Sequence, residues 1–157
     1  MNIFYLDREP EPCAEAHCDR HSVKMPVEYA QLLSTAHIEL DGEQVAYRAT
    51  HRNHPSAVWV RQSSQHYDYV YQLMVALGNV YADRYGRIHK TLSDHTDTLA
   101  NPPVNLPDNG WVDPPQCMPD DCKRDDAVLG YQVYYNYKAD DWDARGIPMK
   151  WYGQEAV

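Results

Sequence analysis

The chain of 157 residues predicts an all-α fold: one compact helical domain over 1–157, with a short extended N-terminal arm and a long Pro-rich loop at 101–126. Three observations predict it. Two stretches repeat apolar residues with helical period, at 26–40 and 65–85. Alternating or β-branched runs that would mark strands are poor throughout. Between 101 and 126 six prolines stand without any periodicity, which reads as a loop long enough to form a lid or strap over the core.

In order, Asn2-Ile3-Phe4-Tyr5-Leu6 is an apolar arm without an evident partner strand, and the prolines before residue 13 end it. A first helix is expected from about Pro12 to about Lys24. Pro26 lacks an N–H, so it either kinks that helix or opens a second one. From Pro26, the series Val27, Tyr29/Ala30, Leu32/Leu33, Ala36/His37 and Leu40 marks a core helix closed by Asp41-Gly42. A further helix starts with Asn53 or His54 at its cap and Pro55 at its first position, placing Arg61 about two turns in. Ser63-Ser64 breaks it before a longer helix from Gln65 to Tyr85, ended by Gly86. Thr91 to Ala100 is a short helix, and Asp125 or Asp126 caps a last one rich in tyrosine.

A mean hydropathy of -0.70 and the lack of an apolar run of membrane-spanning length exclude an embedded protein. Without a basic start and long apolar segment to act as a signal peptide, a cytoplasmic location is expected. The four cysteines, Cys13, Cys18, Cys117 and Cys122, are then expected as thiols, with a four-thiolate zinc site as the alternative to buried small side chains. The formal charge of -9 argues against a general nucleic-acid coat. The charge is segregated, however: residues 17–90 hold eight Lys/Arg, seven acids and seven of the eight histidines, while 101–157 hold five Lys/Arg against ten acids. Such confinement of cations points to a focused anion site.

The run from Cys13 to Glu28 is the most distinctive. In one helix, His17, His21, Lys24 and Glu28 would share a stripe at i, i+4, i+7 and i+11. Two more clusters follow, one with His51, Asn53, His54 and Arg61, and one with Arg84, Arg87, His89 and Lys90. Three chemistries fit. Arginines and helix N-termini can bind phosphate while His17, His21 or His89 moves protons. His17, His21, His51 and His54 could hold a metal for nucleotide hydrolysis, although His17-Cys18-Asp19-Arg20-His21 lacks the glutamate of the metalloprotease helix and its Arg would repel a cation. Lys24, crowded by Arg20, His17 and His21, could act as an amine nucleophile with Glu28 handling protons. No Gly-rich phosphate loop, nucleophile elbow or dinucleotide fingerprint is present, and no cofactor is expected.

The arm, the helix bearing Ala14-x-x-His17, the long helices and the closing Trp151-Tyr152-Gly153 resemble small phage-type pyrimidine-dimer DNA glycosylases of the endonuclease V type. The resemblance implies an all-α domain acting on DNA by glycosidic cleavage and a backbone nick. It also implies an amine attacking the sugar C1′, here Lys24 or the Met1 amine, with Glu28 managing protons. The family uses the amine of a processed N-terminal threonine, whereas here Asn2 is too large for ordinary methionine removal. With His17 aligned, the family's catalytic glutamate falls on Lys24, and Glu28 lies one turn further on. The family is also basic, so the resemblance carries the fold and a DNA or nucleotide substrate more readily than the reaction. A non-catalytic, phage-type nucleotide-binding factor is the other reading. Every enzymatic version requires that histidines and cations far apart in the sequence meet in one hollow.

Overall fold

The computed structural model describes residues 1–149 and 151. Six α-helices, and no strand among the described residues, form the fold: α1 (Pro10–Ala16), α2 (Asp19–Asp41), α3 (Pro55–Val60), α4 (Ser64–Tyr85), α5 (Lys90–Leu99) and α6 (Ala127–Ala144). The expected all-α class is what the chain adopts. No helix among the described residues is long and apolar enough to cross a membrane.

The long helices α2 and α4 pack along each other, α1 lies on α4, and α3 and α5 both touch this central pair. Leu32, Leu33, Val70, Leu73, Met74 and Leu77 are almost wholly buried between them, at the positions the helical period predicts. Both helices stop where a glycine adopts the left-handed conformation, Gly42 at φ 70° and Gly86 at φ 71°. There a side chain would be strained and glycine is not.

The N-terminal arm is core. Ile3, Phe4, Tyr5 and Leu6 are at most 4% exposed. Without a sheet, their backbone groups need other partners. Phe4 N–H donates to the Tyr29 hydroxyl at 3.2 Å, and Phe4 C=O accepts from Cys13 Sγ at 3.1 Å. The Phe4 ring meets Tyr131 and Tyr135 of α6. The arm thereby joins α1, α2 and α6.

The first helical boundary differs from the expectation of one helix from Pro12 to Lys24. α1 ends at Ala16, His17 and Cys18 are extended, and α2 begins at Asp19 and runs through Pro26. Arg84 explains the break. Its guanidinium donates to the carbonyls of His17 at 2.7 Å and Glu15 at 2.9 Å, and pairs with Asp19 at 3.2 Å. The free carbonyls at the end of α1 are thus satisfied by a cation, which also suits the negative end of a helix. Beside Pro26, the Val23 carbonyl accepts from His89 Nε2 at 2.7 Å.

The Pro-rich segment is a strap with many ties. Asp41 accepts from the N–H groups of Val104 and Asn105. Ser64 N–H donates to Pro107 C=O at 2.7 Å, and Ser63 Oγ to Gly110 C=O at 2.6 Å. Trp59 and His66 stack at 4.0 Å, Trp111 meets both edge-on, and Val112 N–H donates to His66 Nε2. After a 3-10 turn at Asp120–Cys122, Asp126 caps α6 by accepting from Val128 N–H, as its sequence position predicts. Of the aromatic ending used for the family resemblance, Trp151 is buried and donates to Asn136 at 2.8 Å. Tyr152 and Gly153 lie outside the described residues.

Candidate functional site

The helical break at His17 removes the expected stripe. His17 belongs to the end of α1, so it is not one turn below His21 on a shared helix. Its ring is fully buried. Nδ1 lies 2.7 Å from the Cys13 carbonyl, which can only accept, so Nδ1 carries the proton. Nε2 then accepts from the Tyr29 hydroxyl at 2.7 Å, and that oxygen in turn accepts from Phe4 N–H. This chain satisfies a neutral imidazole. Burial, with a smaller contribution from Arg84, pushes its pKa down to about 4 against the opposing effect of the Cys13 carbonyl.

His21 has a similar position. Its Nδ1 is 2.6 Å from the Tyr135 hydroxyl, its ring stacks on Phe4 at 4.4 Å, and its pKa is pushed down to about 2 by burial and then by His17, Lys138 and Lys24. Both rings are interior struts holding the arm and α6 against α2. They are core residues and not the expected proton carriers, because neither an open face nor an accessible charged form is left to them.

His89 too is a structural residue and not the expected proton carrier. Its Nδ1 accepts from Thr91 N–H and caps α5, while Nε2 donates to the Val23 carbonyl. The two ring nitrogens are therefore already committed. His54 Nδ1 accepts from Ser56 N–H, so it caps α3 as expected but occupies a donor that an anion would have used.

The cations predicted to hold phosphate are dispersed. Arg84 caps α1 and faces a hollow of about 530 Å³ that also contains Asp7, Glu15 and Asp83, an unfavourable field for an anion. Arg87 donates to the Tyr81 hydroxyl, Lys90 pairs with Asp94 at 2.8 Å, and Arg61, the C-cap of short α3 rather than a residue two turns inside a longer helix, donates to the Arg52 carbonyl. Asn53 is exposed in the turn before α3. The single anion pocket built from all three clusters does not form.

A smaller set does meet. Met1, Lys24, Val27, Glu28, Gln31 and His51 line one hollow of about 510 Å³. The four α2 residues follow i, i+3, i+4, i+7 spacing, so they form one ridge. Lys24 Nζ lies 3.3 Å from Glu28 Oε2. That oxygen has no accessible surface and no properly directed hydrogen bond, and Asn2 Oδ1, beside Met1, is in the same state. A buried acceptor without a donor is costly, and at Glu28 the Lys24 ammonium offsets that cost. Across the hollow, His51 is the one described non-glycine residue with positive φ, at 49°, and its ring contacts the Thr50 hydroxyl at 2.8 Å. A histidine held in the left-handed region stores strain, a recurrent trait of functional loops. The Met1 α-ammonium reaches this corner too: His54 has its pKa lowered by burial first, then by that ammonium and by His51.

The arrangement offers the Lys24 amine, a shielded carboxylate and an exposed imidazole around one cavity, with Met1 in its wall. Sequence reasoning found Lys24 and Glu28 on one stripe and placed His51 in a separate cluster. It reached the Met1 amine only through the family resemblance and omitted Gln31, whose ridge spacing with Lys24 and Glu28 was a usable signal. Among the described residues no three of His, Cys, Asp or Glu gather as metal ligands. The four cysteines are free thiols that do not converge.

Comparison of the chain with protein-family models, with curated proteins and with solved structures gives no match.

Proposed function

We propose that the hollow bounded by Met1, Lys24, Glu28 and His51 is an amine-based active site acting on an aldehydic sugar carbon in DNA or a nucleotide. One observation carries the reading: Met1 and Lys24 line a cavity together with Glu28, whose buried oxygen lies 3.3 Å from the Lys24 amine. The nucleic-acid part of the reading comes from the sequence resemblance, and the amine–carboxylate part from the cavity.

The chemistry needs few components. A neutral amine nitrogen attacks the C1′ carbonyl carbon of an abasic deoxyribose, and its proton passes to Glu28. The carbinolamine loses water to give an imine. Removal of a C2′ proton by the carboxylate then expels the 3′ phosphate, and hydrolysis of the imine returns the amine. His51 is placed to exchange protons with solvent. Lys24 and Glu28 hold each other, and an incoming carbonyl displaces that contact.

Reductive trapping with borohydride and an oligonucleotide bearing one abasic site tests the reading. A covalent adduct is expected, mapping to Met1 or Lys24 by peptide mass, and Glu28→Gln reduces it at least tenfold. A wild-type protein that forms no adduct, beside a lyase control that does, refutes the proposal.

A further inference from the structure

The flank where α6 meets α2 carries a second feature. At 100° per residue, Tyr134, Tyr137, Lys138, Asp141 and Arg145 fall on one side of α6, with Trp142 at its boundary. Lys138 Nζ sits 4.8 Å above the Tyr134 ring centre and 5.8 Å from that of Trp142. Arg20, from the first turn of α2, lies 5.8 Å from the Trp142 ring. Tyr134 and Tyr137 are near parallel, 24° apart in plane at 6.2 Å, and Tyr137 is 52% exposed.

These cations repel one another. The Lys138 ammonium has its pKa lowered by burial and then by Lys24, with Arg145 adding to the effect. Asp141 answers Arg145 at 3.0 Å and Glu28 answers Lys24; Asp141 also acts on Lys138 from a distance, while the Arg20 and Lys138 cations lie over the rings of Trp142 and Tyr134. Asp140 and Asp143 project from the far side of α6 by the same helical count. In a chain of net charge -9, a cation group set among ring faces matches a polyanion that also carries planar rings. Lys24, one helical turn beyond Arg20 on α2, lines the amine hollow and lies near enough to Lys138 to act on it electrostatically.

We infer that the α2–α6 flank formed by Arg20, Lys24, Tyr134, Tyr137, Lys138 and Trp142 is a binding track for single-stranded nucleic acid, leading into the Met1–Lys24–Glu28 hollow. The inference rests on the proposed function for its choice of polyanion and deepens it by assigning the strand form. Cations follow the phosphates while the Tyr137 face stacks a base. A stacking platform needs unpaired bases, so the track discriminates against duplex.

Fluorescence anisotropy with labelled oligothymidylate lacking any abasic site tests this, with a duplex of equal length as comparator. Single strand binds more tightly than duplex. Arg20→Gln/Lys138→Gln weakens single-strand binding at least tenfold, and its log Kd against log salt slope becomes shallower by about 1.4, as about 0.7 per lost phosphate contact requires. Tyr137→Ala, an exposed change, weakens binding about tenfold. A control with the same charge change elsewhere, Arg61→Gln/Lys90→Gln, keeps the wild-type slope. The track is refuted if duplex binds as tightly, if the wild type does not bind, or if the two double variants behave alike while circular dichroism shows both folded. Binding without trapping of the abasic strand refutes only the imine chemistry; trapping that survives in a variant with unchanged binding refutes only the track.

Discussion

Acid should weaken this fold through His17 in a calculable way. The ring is buried and neutral, with a pKa of about 4 against 6.5 for the unexposed-to-perturbation reference. Between those values the unfolded chain binds a proton that the folded chain refuses, so stability rises with pH. The contribution is complete above pH 6.5 and disappears as pH falls toward 4. Integration gives a loss of about 2 kcal/mol at pH 5 and about 3 kcal/mol at pH 4 from this ring alone. His21 acts in the same direction, but its shift includes repulsion from His17, so the two losses do not add. Against a total stability on the order of 5–15 kcal/mol, this is a large fraction. The assay is urea unfolding followed by circular dichroism at pH 7, 6 and 5, above the range where carboxylates dominate. His17→Gln is less stable at pH 7, yet its loss between pH 7 and pH 5 is smaller than the wild type's by about 2 kcal/mol. Equal pH dependence in the two proteins would show that the His17–Tyr29–Phe4 chain does not keep the imidazole neutral.

Three further changes probe the frame around the site. Arg84→Met leaves the carbonyls of Glu15 and His17 without their guanidinium and costs about 2–3 kcal/mol, seen as a thermal midpoint lower by about 5–10 °C. Gly78→Ala puts a Cβ into the Leu92 side chain, where α5 crosses α4, and costs about 1–3 kcal/mol. Pairing it with Leu92→Ala restores part of the loss, measured by the same midpoints, and additivity of the two changes would refute the steric account. Asp41→Ala frees the strap locally: amide exchange at Val104 and Asn105 accelerates while the midpoint changes little, and unchanged exchange would show that the carboxylate does not anchor that segment.

The helices were legible where one physical signal dominated. Periodic burial marked α2 beyond Pro26 and α4, left-handed glycines marked their ends, and Asp126 and Pro55 marked the starts of α6 and α3. The break at His17 was not legible, since its cause is Arg84, far away in sequence, binding the carbonyls that a continuing helix would have used. The roles of His17, His21 and His89 were misread for a related reason. Imidazole is suited both to proton transfer and to bridging two buried polar groups, and only the partners distinguish these uses.

Sequence by itself determined the helical class, the boundaries set by glycine, proline and aspartate, and the presence of a lysine–glutamate pair one turn apart, because each depends on interactions within a few residues. Tertiary structure alone decided which histidines are interior, that the arm lies in the core, and that the chain's first residue meets Lys24, Glu28 and His51 at one cavity. Those outcomes depend on which distant groups satisfy buried donors and acceptors, and local sequence carries no record of such pairings.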